Sequence, residues 1–141
     1  MSTRNRILVY IAGPYNGPTP EDIDRNVEAA VALGREVVRL GYFPVIPHAQ
    51  GKLLTAGTTS DTATEGTLAP REFWLTGDLA LLEVCHAVLL TSTWEKSEGA
   101  RIERDHATRR RIPVFETLDE LKDFDWVLDI ETMPLHPSEQ P

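Results

Sequence analysis

The chain has 141 residues, 41% hydrophobic and 26% charged, the balance of a soluble globular domain long enough to bury its own core. Fourteen Lys and Arg against 22 Asp and Glu give a formal net charge of −8, which argues against a nucleic-acid partner, because phosphate backbones are held by clustered cations. The single cysteine, Cys85, excludes an internal disulfide framework and suits a reducing compartment.

The continuously apolar run Ile7–Ala12, ending at Gly13-Pro14, reads as a strand covered on both faces. It is too short for a signal-peptide core or a spanning helix, so a cytoplasmic protein with no membrane contact is expected. Thr19-Pro20-Glu21-Asp22 opens a helix, with Thr19 as cap, Pro20 at the first position and the acids at the positive end. Ile23, Val27, Ala30, Val31, Gly34, Val37 and Val38 mark its apolar face, and Gly41 stops it. Tyr42–Ile46 is a second strand, placed at an edge by Pro44, which lacks an N–H for the ladder.

Residues 47–70, rich in Gly, Thr and Ala, read as a long loop or lid. A helix follows from Arg71 to Val84, with Trp74, Leu75, Leu79 and Leu82 as its stripe. Ala87–Thr91 is the third strand, Glu98–Arg111 the next helix, and Pro113–Phe115 a short fourth strand. Thr117-Leu118-Asp119-Glu120 has the form of a capping box for a last helix. The tail 125–141 is acidic and then Pro-rich, and either stays disordered or packs on a neighbouring subunit. Strands alternating with helices predict a single α/β domain over 1–141. Its fold class is Rossmann-like (flavodoxin-like), a mostly parallel sheet of four to five strands with helices on both faces.

In such sheets ligands bind beyond the carboxyl ends of the strands. The segments there are Gly13-Pro14-Tyr15-Asn16-Gly17, Pro47-His48, and Thr91 through Gly99. The first matches neither a dinucleotide fingerprint nor a P-loop. Ser97 and Gly99 precede a helix whose first N–H groups are unpaired, a ready anion site, although Ser97 also serves as a simple cap. Asp78 lies beside an apolar stripe. Glu103 shares a helix face with Ala100 and Ala107, which makes it a candidate nucleophile. From pattern alone, a solvated Glu103 paired with Arg104, Arg109 or Arg110 is the simpler account. His48, His86, His106 and His136 are scattered and give no metal constellation, and Cys85 reads as buried and inert. Arg109-Arg110-Arg111 complements the negative end of its helix.

Taken together, Tyr10 through Gly17, Asn26, Pro47-His48, Asp78-Leu79 and Trp94 through Glu103 resemble the nucleoside 2-deoxyribosyltransferase superfamily over roughly residues 6–116. The resemblance implies Glu103 as catalytic nucleophile, Asp78 as the acid near the base and Tyr10 as the group that orients Glu103. It further implies substrate contacts from Gly13, Asn16, Gly17, His48, Trp94, Ser97 and Gly99. Ser97 stands where base-exchanging transferases carry an aspartate and nucleoside 5′-monophosphate hydrolases a serine. An aspartate would repel a phosphate dianion, so the expectation is N-glycosidic hydrolysis of a nucleoside 5′-monophosphate through a glycosyl ester on Glu103. Base exchange and a non-catalytic nucleotide-binding module are the alternatives. Those hydrolases carry serine and arginine where this chain has Pro14 and Asn16, which leaves backbone groups of Gly13, Asn16 and Gly17 to cradle the phosphate. Trp74 or Trp94 is expected to stack on the base. The family further implies a homodimer or larger assembly and no metal or organic cofactor.

Overall fold

The computed structural model describes residues 6–56 and 68–126. Strand β1 (Leu8–Ala12) is followed by α1 (Pro20–Arg39), β2 (Phe43–Val45), α2 (Pro47–Thr55), α3 (Arg71–Glu83), β3 (Ala87–Leu90), α4 (Glu98–Arg109), β4 (Val114–Phe115) and α5 (Leu118–Asp123). A 3₁₀ turn over Trp94–Lys96 leads into α4. The four strands form one parallel sheet in the order β2-β1-β3-β4, with Tyr10 opposite Val88 and Val45. The fold is therefore the α/β class expected, with four strands among the described residues. Pro44 sits on the edge strand, where its missing N–H costs least.

Successive strand residues point to opposite faces, and β1 uses both. Val9 and Ile11 join Ala30 and Val37 of α1, Leu89 of β3, and Phe115, Leu121 and Trp126 in one core. Tyr10 and Ala12 face the other way, with Val88 and Leu90 of β3, Leu82 of α3 and Ala107 of α4. Helix α1 buries Ile23, Val27, Ala30, Gly34 and Val37, whereas Val38, placed on the stripe by spacing, is 57% exposed. Its N-terminus carries a full capping box between Thr19 and Asp22. The Thr117 box is only half formed. Thr117 Oγ1 accepts from Glu120 N at 3.2 Å, but the Glu120 carboxylate reaches one residue further back, to Glu116 N.

Two expectations need correction. The stretch 47–70 opens as a helix, not a loop: Pro47 sits in its first turn, and Lys52 pairs with Asp24 of α1 at 3.0 Å, tying α2 to α1. Residues 57–67, the remainder of the expected lid, lie outside the described residues, as does the tail over 127–141. The tail's first apolar residue, Trp126, belongs to the chain's own core, its ring against Tyr42, Phe115 and Phe124. No helix among the described residues is long and apolar enough to cross a membrane.

Candidate active site

The strand order makes the chain turn to opposite sides after β1 and after β3, so their following loops separate and leave a crevice between them. A cavity of about 330 Å³ opens there. Its walls come from the β1 loop (Gly13 to Asn16), the start of α2 (Pro47, His48), one face of α3, and the start of α4 with the two residues before it (Lys96 to Ala100, and Glu103). The volume falls within the usual range for small-molecule sites.

Glu103 is 7% exposed, and with Ala100 and Ala107 it forms the buried face of α4. The account of a solvated glutamate therefore fails. The fully buried Tyr10 hydroxyl donates to Glu103 Oε2. Burial first, and then the Glu103 and Asp78 carboxylates, hold the Tyr10 phenol well above its ordinary pKa, so it remains a donor. Asp78 lines the same cavity, and burial raises its carboxyl to about 6. The two acids expected to cooperate thus line one hollow, with Tyr10 on Glu103.

The β1 loop is shaped by close approach. A Cβ on Gly13 would lie 2.2 Å from Thr91 Oγ1, so only glycine fits where β1 and β3 end side by side. Asn26 of α1 donates through Nδ2 to the carbonyls of Tyr15 and Asn16, at 3.0 and 3.2 Å, and fixes the next two residues. The buried His48 ring donates from Nε2 to the Gly13 carbonyl at 2.9 Å. Burial lowers its pKa, which keeps the imidazole neutral with Nδ1 as an acceptor. Ser97 Oγ accepts from Ala100 N at 3.1 Å and caps α4, so the cap and a place on the cavity wall coexist.

Helix α3 supplies two wall residues that sequence reasoning missed, Arg71 and Leu75, beside Trp74 and Asp78, which it named. Arg71, Trp74, Leu75 and Asp78 all line the cavity, at the i, i+3, i+4, i+7 spacing of one helix face. The expected stripe took Trp74 and Leu75 with Leu79 and Leu82, and of these only Leu82 is buried. A stripe that admits a charge at each end, Arg71 and Asp78, gives the face its functional meaning. Arg71 Nη2 lies 3.5 Å from Glu98 Oε2, which bridges α3 to the first residue of α4. Lys96 is a second cation on the wall.

Two expected contacts are not part of this wall. Trp94 is drawn back by the 3₁₀ turn, with its N–H on the Thr91 carbonyl. It packs on the core around Tyr10, and the Arg104 guanidinium lies 5.1 Å over its ring. Trp74 is the tryptophan at the cavity. Gly17 also lies off the wall, where a Cβ would come 2.5 Å from Asp22 Cβ. Its small size lets the loop pass the start of α1.

Burial pushes the Cys85 thiol up to about 12, so it is no nucleophile at neutral pH. His86 Nδ1 accepts from Leu8 N at 3.0 Å, and His106 Nε2 lies 2.8 Å from Glu83, both away from the cavity. Among the described residues no three His, Cys, Asp or Glu side chains are grouped to hold a metal.

No curated protein and no solved structure matches the chain. A family model does, over residues 7–117, a span running from the first residue of the core to the cap of α5. The chain therefore belongs to the family described as a domain of unknown function, DUF7768.

Proposed function

We propose that the chain hydrolyses the N-glycosidic bond of a nucleoside 5′-monophosphate, releasing free base and (deoxy)ribose 5-phosphate. The observation that carries the reading is a buried carboxylate, Glu103, held by the Tyr10 phenol and facing a cavity that also contains Asp78, whose carboxyl burial raises to about 6. A structural carboxylate of this burial is ordinarily neutralised by a cation. Here the Tyr10 hydroxyl, a neutral donor, holds Glu103 on the cavity wall, where its carboxylate can meet a developing oxocarbenium centre.

In the first step a Glu103 oxygen attacks C1′ as the C1′–N bond breaks with its electron pair on the base. Asp78 transfers its proton to the departing nitrogen. A carboxyl with a pKa near 6 is suited to that role at neutral pH. Water then attacks C1′, the ester bond breaks with its pair returning to Glu103, and the water's proton goes to Asp78. Tyr10 holds Glu103 Oε2 throughout and keeps the carboxylate in line. Trp74 offers a stacking face for the base, and the start of α4, with Ser97, offers N–H groups to the phosphate.

A chromatographic screen of all ribo- and deoxyribonucleoside monophosphates for released base tests the reading. One or more is expected to release base, and the Glu103→Gln protein is expected to bind that nucleotide without turning it over. Tight nucleotide binding with no base released over hours would overturn hydrolysis in favour of a binding module. Transfer to an added second base would establish exchange instead.

A further inference from the structure

We propose that Arg71 reads the charge of the 5′-phosphate and so selects nucleotides over nucleosides, and that Glu98 competes with the phosphate for it. The inference rests on the nucleotide reading above and adds to it the residue that sets phosphate preference.

The geometry places this cation at one pole of the cavity. Arg71 and Asp78 stand seven residues apart on one face of α3, about 10 Å along the axis at 1.5 Å per residue. That is the scale on which a nucleotide separates its phosphate from its base. Asp78 shares its end of the cavity with Tyr10 and Glu103. Arg71 reaches the other end, its guanidinium 3.5 Å from Glu98 at the positive terminus of α4, with Lys96 on the same wall. The cavity is thus anionic where a glycosidic carbon would gain positive charge and cationic where a phosphate would lie. The β1 loop contributes no charged side chain to the wall: its lining residues are Gly13, Pro14, Tyr15 and Asn16. The cation from α3, Arg71, takes that place, with Lys96 beside α4.

The ion pair is built to exchange. The Arg71 and Glu98 side chains are 57% and 64% exposed, so water screens their attraction and little is lost when the partner changes. A phosphate dianion offers the guanidinium two parallel charge-assisted hydrogen bonds and twice the charge of a carboxylate. A 5′-hydroxyl offers neither, so a nucleoside leaves Arg71 on Glu98. The carboxylate therefore opposes only a ligand that must displace it from Arg71, and a dianion is the ligand best able to do so.

Calorimetry of the full chain tests this with ribose 5-phosphate, 2-deoxyribose 5-phosphate and the corresponding nucleosides. Arg71→Gln is expected to weaken binding of the sugar phosphate about 10- to 100-fold, the loss of a hydrogen bond to a charged group. Nucleoside affinity should stay within about twofold, since the nucleoside never engages the cation. Glu98→Gln, which removes the competitor, is expected to tighten sugar-phosphate binding several-fold, opposite in sign to what damage to the fold would give. Arg71→Gln binding sugar phosphate as the wild type does, or losing nucleoside and sugar phosphate in equal measure, would overturn the inference alone. A wild-type chain that binds no sugar phosphate and no nucleotide would overturn the nucleotide reading, and the inference with it.

Discussion

The two faces of the sheet are built from the same four strands and do different work. On the α1/α5 face, Val9, Ile11, Ala87 and Leu89 meet a close-packed layer that includes the rings of Tyr42, Phe115, Phe124 and Trp126. On the α3/α4 face, Tyr10 and Leu90 stand in an apolar cluster of their own, but that layer gives way to the cavity where Tyr10 meets Glu103. A single strand, β1, serves both, because alternate residues point in opposite directions. The packed face can hold the strand rigid while the other face carries a buried carboxyl and a void that would destabilise a core by themselves. Stability and chemistry should therefore separate by face.

The sharpest way to break that separation is at Glu103. Glu103→Gln keeps shape and burial but removes the attacking charge. Turnover should fall on the order of a thousandfold or more, with nucleotide affinity largely kept. Phe115→Ala on the opposite face should do the reverse. Truncating a buried aromatic in the packed layer should cost about 3–5 kcal/mol of unfolding free energy, read by denaturant titration. Activity per folded molecule should be unchanged. A Phe115→Ala protein that stays stable but loses turnover would show that the faces are not independent. Tyr10→Phe is the intermediate case, since it leaves the ring in the core and deletes only the donor to Glu103. Turnover should drop about 10- to 100-fold, with a stability change of about 1 kcal/mol.

The packed face was the more legible of the two in the sequence. Apolar runs and cap residues announced β1, α1, β3 and the short last helix with bounds close to those observed, because those signals are local and repeat. Glu103 was legible as a face with Ala100 and Ala107, but pattern could not tell a buried carboxylate from a solvated one. What decides that is Tyr10, 93 residues away in the chain. The apolar spacing of α3 gives the stripe the wrong phase, because Trp74 and Leu75 look like core and Arg71 looks like surface, while Asp78 is legible only as an acid beside the stripe. Only the crevice beside α3 makes those four one wall. Trp94 and Gly17 were assigned to the site by their place in a motif, and a 3₁₀ turn and a close helix start put them elsewhere. The helix over Pro47–Thr55 was obscured by Gly51 and by a weak apolar pattern.

Asp78 gives the smallest effect and ties the two properties together on one residue. Its folded pKa of about 6 lies above the ordinary carboxyl value because burial penalises the charged form. The folded chain therefore holds this proton more tightly than the unfolded chain does. As pH rises from about 4 to about 6, the unfolded state ionises first and stability falls, then levels off above 6. With the side chain partly open to water, the loss at neutral pH should be about 1 kcal/mol. Asp78→Asn should recover it, and unfolding midpoints of the two proteins should converge near pH 4 and separate by pH 7. The kinetic sign follows from the same proton. The wild-type kcat/KM should decline as pH rises through about 6, because the donor is lost, and in Asp78→Asn this decline should vanish at a lower overall rate. A variant more stable than the wild type but slower, with a flat pH profile, would mark Asp78 as a group kept for its proton at the expense of the fold. Parallel profiles in the two proteins would place the general acid elsewhere on the cavity wall.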